Sequence, residues 1–131
     1  MRHIPLLFAA LFGLIATAQA ELVVIAHPEG PVELSQNELR DLYLGRSDHW
    51  QVLELADGHP LRQAFHQQVT RRNEAQLRAH WSRLVFTGRG TPPRQLNDPQ
   101  AILGEVARAP NVIGYVEADA VTDEVRIIFR P

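Results

Sequence analysis

The chain has 131 residues, with 13 basic residues, all arginine, against 15 acidic residues, and it contains no cysteine. This length suits one domain that buries its own core. Because the chain has no cysteine, the domain forms without disulfides and a lipid anchor on a cysteine is excluded. The mildly acidic balance argues against nonspecific nucleic-acid binding.

The first twenty residues have the three parts of a secretory signal. Arg2 and His3 form a short polar start, residues 4–16 are apolar, and Ala18-Gln19-Ala20 has the small residues of a cleavage site. The apolar stretch is shorter than the roughly 20 residues that a membrane span needs. We therefore expect cleavage after residue 20 and export of residues 21–131 to the periplasm as one domain without a membrane span.

The first half of the predicted domain has a strand, a helix and a second strand. Residues 21–26 are a short β-branched run. Ser35 and Glu38 have the spacing of a capping box, so a helix begins there, and Gly45 is its expected end. Residues 52–55 then predict the second strand.

The second half adds three helices and two strands. Pro60 suits the first position of a helix, a further helix runs from about residue 74 to Gly88, and residues 88–93 are irregular. Asp98-Pro99 begins the last helix, and residues 112–116 and 125–129 are closing strands. The order β-α-β-α-α-α-β-β predicts an α/β domain with helices covering a sheet.

The turn between the second strand and its helix is one candidate anion site. Free backbone N–H groups and the helix dipole favour anions at such a helix start. The residues concerned are Asp57, Gly58, His59 and Arg62. The alternative is an ordinary turn in which Asp57 caps the helix, and its carboxylate would repel an anion.

Two further arginines follow predicted helix ends. Gly88-Arg89-Gly90 allows close approach of a ligand to the backbone, and arginine suits oxyanions. Arg46 follows Gly45 in the same way. The alternatives are a solvated helix exit at Arg89 and, at Arg46, neutralisation of the negative helix end.

Other chemistry receives little support from the residue pattern. No histidine pair has the i, i+4 spacing of a helical metal site, and no nucleophile or acid–base arrangement is assembled, so neither a metal site, a cofactor nor an enzyme is expected. Trp50, Phe86 and Tyr115 could line a cleft, but aromatic side chains of this kind more often belong to the core.

Two stretches resemble the periplasmic phosphate-binding receptors of ABC importers. Residues 35–46, followed by Trp50, are similar to a helix, glycine and tryptophan segment of that family, and residues 112–121 resemble its "G-A-I-G-Y-V" segment. Residues 86–93 resemble the "F-T-G-R-G-x-P-P" of short secreted proteins with the same domain. The resemblance implies one lobe of a type 2 periplasmic-binding-protein fold, since the chain is too short for two.

The resemblance also implies two functions. The first is a solute-binding module that holds phosphate or a related small oxyanion for ABC-type uptake, although residues 55–61 stand where the family has Arg-Ser-x-x-Ser-Gly-Thr. The second is a ligand-free module that docks on a membrane protein or transporter, or forms a homodimer. For the first function, the expected ligand-binding residues are Arg46, Asp57, Gly58, His59, Arg62, Gly88, Arg89 and Gly90.

Overall fold

The computed structural model describes residues 21–131, together with the single positions His3, Pro5 and Gly13. The predicted signal and its cleavage site lie, apart from those three positions, outside the described residues. From residue 21 onward, no helix combines the length and the apolar character needed to cross a bilayer.

Five strands and four α-helices follow one another within residues 21–131. The strands are β1 (Leu22–Ala26), β2 (Gln51–Leu55), β3 (Arg94–Leu96), β4 (Val112–Glu117) and β5 (Arg126–Phe129). The helices are α1 (Gln36–Tyr43), α2 (Pro60–Gln68), α3 (Glu74–Phe86) and α4 (Pro99–Arg108), and a 3-10 turn covers Ala118–Ala120.

The five strands form one mixed sheet in the order β3-β2-β4-β1-β5. Strand β2 runs parallel to both β3 and β4, whereas β1 is antiparallel to both β4 and β5. The first strand therefore lies beside the last one. Glu21, just before β1, forms an ion pair with Arg130, just after β5.

The core lies between this sheet and the helices packed on it. Every residue of β1 is buried, which explains its unbroken apolar sequence. Phe65 of α2 stacks on Tyr115 of β4 with ring centroids 4.1 Å apart. At Gly114 of β4 an added Cβ would lie 2.5 Å from Cγ2 of Ile102, so the glycine lets α4 pack closely on the sheet.

Local sequence signals place the helix ends where they were predicted. Ser35 and Glu38 form a capping box with reciprocal side-chain to backbone bonds. Gly45 follows α1 with φ 75°, a left-handed conformation that glycine adopts without strain. Pro60 is the first residue of α2, and the Asp98 side chain accepts a hydrogen bond from the Ala101 N–H at the start of α4.

The observed order of elements differs from the predicted one by an additional strand, β3. This strand has only three residues and lacks apolar alternation. It forms through parallel pairing with β2, with Leu53 opposite Arg94, and such long-range pairing leaves no local sequence signal. The predicted inward position of Val85 is also wrong, since this side chain is 53% exposed near the end of a peripheral helix.

Candidate anion-binding site

A cleft of about 900 Å³ lies beside the C-terminal ends of α1 and α3. Its walls come from the loop after α1 and from the segment between α3 and β3. We call it the arginine cleft, and the residues that define it are Arg46, Trp50, Trp81, Arg89, Gly90 and Arg94. Its volume falls in the range of small-molecule sites in proteins.

Trp81 of α3 joins the two walls of the arginine cleft. A Cβ on Gly45 would lie 2.7 Å from Cη2 of this indole, and a Cβ on Gly90 would lie 3.4 Å from its Cζ3. The same indole ring therefore packs closely against two glycines, each of which is next to an arginine. A second link holds α3 to the end of α1, where His80 Nε2 lies 2.7 Å from the Leu44 carbonyl oxygen.

The guanidinium groups of the arginine cleft are only weakly paired. Arg46 lies 3.8 Å from Asp41, and Arg94 lies 3.5 Å from Glu105, with about half of each arginine side chain exposed. Arg89 forms no ion pair with any residue that the structure describes. Exposed pairs at these distances contribute little stability, so the three cations remain accessible to a ligand.

The turn before α2 is organised differently from the arginine cleft. Gly58 has φ 81°, and the N-cap is His59, whose Nδ1 accepts a hydrogen bond from the Leu61 N–H at 3.1 Å. The alternative in which Asp57 caps the helix is therefore wrong. Asp57 instead lies 3.3 Å from the Arg62 guanidinium.

Arg62 is buried and is held by three carboxylates. Its guanidinium lies 2.5 Å from Glu54 and 2.7 Å from Glu74, and it also donates to the Leu55 carbonyl oxygen at 3.1 Å. Burial alone lowers the pKa of Arg62, but Glu54 and Glu74 outweigh burial and the pKa is raised. This cation is neutralised within its own chain and is not free to donate hydrogen bonds to an anionic ligand.

The same ion pairs continue into the interior through a histidine. His66 Nε2 lies 2.9 and 3.0 Å from the two Glu54 oxygens, and its Nδ1 lies 2.8 Å from Thr70 Oγ1. No buried side-chain polar atom of the described residues lacks a hydrogen-bond partner. We call this group the closed network, and its members are Glu54, Asp57, Arg62, His66, Thr70 and Glu74.

Two buried tyrosines flank the closed network. The Tyr43 hydroxyl donates to the Leu53 carbonyl oxygen at 2.9 Å, and the Tyr115 hydroxyl accepts from the Leu55 N–H at 3.1 Å. Burial raises the pKa of Tyr43 well above its usual value, and the nearby Glu54 carboxylate raises it further. Burial and the same carboxylate also raise the pKa of Tyr115.

The structure thus divides the predicted binding residues between two places. Arg46, Arg89 and Gly90 line the arginine cleft, whereas Asp57 and Arg62 line a separate groove. Gly88 follows α3 with φ 68° but does not line the cleft. The expectation that Arg62 shares one site with Arg46 and Arg89 is wrong, because Arg62 is enclosed by its own carboxylates.

Two features of the sequence indicate the closed network, although the residues of this network were not predicted to form a group. Glu54 is the one charged residue in the otherwise apolar run of residues 52–55. Arg62, His66 and Thr70 recur every four residues, which places them along one stripe of α2 and its continuation. A charge in a buried strand facing such a stripe indicates an internal ion pair.

The three aromatic residues considered from sequence have different environments. Tyr115 is fully buried in the core, Trp50 is partly buried and lines the arginine cleft, and Phe86 is 92% exposed. The core assignment is therefore wrong for Phe86. Among the described residues, no three histidine, aspartate or glutamate side chains form a group that could hold a metal ion.

Comparison with solved structures defines the class of this fold. No protein-family model matches the sequence, and no curated protein matches it either. Two solved structures, each covering 82% of this chain with a TM-score of 0.65, are substrate-binding components of phosphate transport. The chain therefore has a phosphate-binding-protein-like α/β fold.

The two solved structures come from different bacteria. One is described as a phosphate ABC transporter substrate-binding protein with bound phosphate from Clostridium perfringens and is 22% identical to this chain. The other is an ABC-type phosphate transport receptor from Vibrio cholerae and is 15% identical. This chain spans 44% and 45% of their respective lengths, so it matches less than half of each.

Proposed function

We propose that this protein is a periplasmic solute-binding module that holds phosphate or a related small oxyanion in the arginine cleft, in connection with ABC-type uptake. The observation that carries the proposal is the meeting of Arg46, Arg89 and Arg94 in one cleft, although 43 residues of sequence separate the first two. The phosphate-binding-protein-like fold supports the same function, as does the predicted export signal.

The arginine cleft would hold an oxyanion through its guanidinium side chains. Its donors are guanidinium groups, which form charge-assisted, often bidentate bonds to phosphate oxygens. The cleft lies at the C-terminal ends of α1 and α3, where the helix dipoles are negative, so side chains and not helix N-termini must supply the attraction. We therefore expect weaker binding than in a clamp that encloses its ligand.

Calorimetric titration of the purified protein with phosphate, and separately with sulfate, tests the proposal. We expect saturable binding of phosphate that Arg89→Gln weakens about tenfold, because a charge-assisted hydrogen bond is lost. Arg108→Gln is the matched control, since Arg108 is exposed, lies outside the cleft and changes the net charge equally.

The control decides between a site and a general charge effect. Equal weakening by Arg89→Gln and Arg108→Gln would show attraction by the whole protein and contradict a site in the arginine cleft. An absence of binding up to millimolar phosphate would contradict the proposed function for this chain.

The second candidate is a ligand-free interaction module with the same fold, docking on a membrane protein or transporter or forming a homodimer. One observation favours it: Arg62, directly after residues 55–61 where the resemblance places the family's ligand motif, is neutralised by Glu54, Asp57 and Glu74. The same titration distinguishes the two candidate functions, because a ligand-free interaction module binds neither phosphate nor sulfate. Neither candidate requires catalysis.

A further inference from the structure

Helix α3 is attached to the domain by few side chains. Of its 13 residues only Leu77 is fully buried, while Trp81 and His80 connect it to the end of α1. Most of the remaining surface of the helix faces solvent. A helix exposed in this way normally carries polar side chains around its free surface.

The end of α3 instead carries exposed apolar side chains. Phe86 is 92% exposed and Val85 is 53% exposed. Among the described residues, the one other exposed large hydrophobic side chain is Val32, at 72%. A projecting phenylalanine beside a second apolar side chain is the type of surface that apolar contact with a partner would cover.

The charge around α3 is opposite to that of the rest of the domain. Residues 71–94, which we call the basic segment, hold six arginines and one acidic residue, a net charge of +5. The other residues from 21 onward hold six arginines and fourteen acidic residues, a net charge of −8. Within the described chain, five of the six arginines form no ion pair: Arg71, Arg72, Arg78, Arg83 and Arg89.

We propose that the basic segment docks on an anionic phospholipid surface, with Phe86 inserted among the lipids. Exposed arginines beside a projecting aromatic side chain are the combination by which helices bind anionic membrane interfaces. Arg78 and Arg83 precede Phe86 on α3, and Arg89 follows it, so insertion of the ring brings cations on both sides toward the headgroups.

The spread of these groups favours a lipid surface over an acidic protein. The unpaired arginines extend over 19 residues, from Arg71 to Arg89, and line four different depressions of the surface. A fluid anionic surface satisfies a dispersed charge of one sign without a matching arrangement of partners. Protein hot spots are, by contrast, residues that pack into enclosed pockets at the centre of an interface, whereas Phe86 is 92% exposed and lines an open groove with Val85 and Trp81.

Vesicle flotation of the purified protein tests this proposal. We expect binding to phosphatidylcholine vesicles that contain phosphatidylglycerol and no binding to phosphatidylcholine alone, with binding lost at high salt. Phe86→Ser should weaken binding about tenfold because the apolar anchor is removed. Arg83→Gln should weaken it about fivefold because one surface cation is removed.

Matched controls make the test specific to the basic segment. Val32→Ser removes an exposed apolar side chain elsewhere, and Arg108→Gln removes an exposed arginine elsewhere. Both should stay within about twofold of the unmodified protein. All four positions are exposed, so circular dichroism should show folded variants and loss of binding will not reflect unfolding.

Any one of four outcomes would overturn the proposal. Equal binding to both kinds of vesicle, or to neither, would exclude recognition of anionic lipid. Binding to an acidic polypeptide on a resin but not to vesicles would assign the segment to a protein partner. Competition by millimolar phosphate would show capture of single headgroups in the arginine cleft in place of surface docking. The proposal survives if the titration with free phosphate fails, because the vesicle test depends on Phe86 and Arg83, which do not line the arginine cleft.

Discussion

The arginine cleft and the closed network use the same guanidinium chemistry for opposite purposes. In the closed network Arg62 is buried and Glu54, Asp57 and Glu74 surround it, so its positive charge is compensated within the chain. In the arginine cleft Arg46 has one distant partner and Arg89 has none among the described residues. The difference shows that an arginine near a helix end indicates a ligand only when the fold leaves its charge without a close carboxylate partner.

Removing a carboxylate from the closed network should have the largest effect. Glu54→Gln removes the carboxylate charge that contacts both Arg62 and His66. We therefore expect a loss of about 3 kcal/mol in the free energy of unfolding. Glu105→Gln, which breaks the surface pairs with Arg94 and Arg108, should cost less than about 1 kcal/mol. Urea denaturation of both variants makes the measurement.

The outcome also tests whether the closed network is structural. A loss below about 1 kcal/mol for Glu54→Gln would show that the remaining carboxylates or water compensate Arg62 fully. Phosphate binding by the folded variant should equal that of the unmodified protein, because Glu54 does not line the arginine cleft.

The tyrosines beside the closed network predict a loss of stability in alkali. Their pKa values are raised by folding, so above about pH 10 the unfolded chain releases protons that the folded chain keeps. Stability is therefore full below about pH 10 and falls as the pH rises, by about 1.4 kcal/mol per pH unit for each tyrosine. No lysine or cysteine titrates in this range.

Unfolding free energies measured across this pH range test the prediction. With two tyrosines the slope should be about −2.7 kcal/mol per pH unit, and Tyr43→Phe should halve it. An unchanged slope in Tyr43→Phe would show that this hydroxyl reaches water and titrates normally in the folded protein.

A pair of glycine variants contrasts the two regions directly. Gly45→Ala forces a left-handed alanine against Trp81 and should cost about 2 kcal/mol. Gly58→Ala has the same backbone problem but open space around the added Cβ, so it should cost about 1 kcal/mol. Thermal unfolding measures both.

The same pair should separate in phosphate binding. Gly45→Ala displaces Trp81, which joins the two walls of the arginine cleft, and should weaken binding, whereas Gly58→Ala should leave binding unchanged. Equal affinities in the two variants would show that Trp81 does not set the spacing of Arg46 and Arg89.

The smallest expected effect comes from the partner of Arg46. Asp41→Asn removes a carboxylate 3.8 Å from its guanidinium and should tighten phosphate binding about twofold, with stability changed by less than about 0.5 kcal/mol. Asp123→Asn is the control for net charge, since Asp123 is exposed and outside the cleft. Equal tightening in both variants would assign the effect to net charge alone.

Elements with local signals were predictable from the sequence. The capping residues Ser35 and Asp98, the glycine after α1 and the proline at the start of α2 each determine a helix end through their own chemistry. The fold class followed from these elements and from the family resemblance. Strand β3 was missed because its three residues, two of them exposed, show no periodicity, and their pairing with β2 depends on the assembled sheet.

The candidate site was predictable only in part. Arg46, Arg89 and Gly90, which the sequence singled out separately, line one cleft in the structure, and their binding of an anion stays a prediction. The role of Trp81 between them was not evident, since a tryptophan on a helix is usually a core residue. Arg62 was misjudged because its partners Glu54 and Glu74 lie 8 and 12 residues away and meet it only in the folded chain.

The ion pair between Glu21 and Arg130 has a topological consequence. Because β1 and β5 are neighbours, a short linker could join residue 131 to residue 21 and make residues 21–131 circular. New ends opened in the irregular segment at residues 88–90 would leave every strand pairing of the sheet intact while releasing Gly90 from Trp81. Such a circular permutant would keep the sheet and open the arginine cleft, so its stability and its phosphate binding could be measured apart.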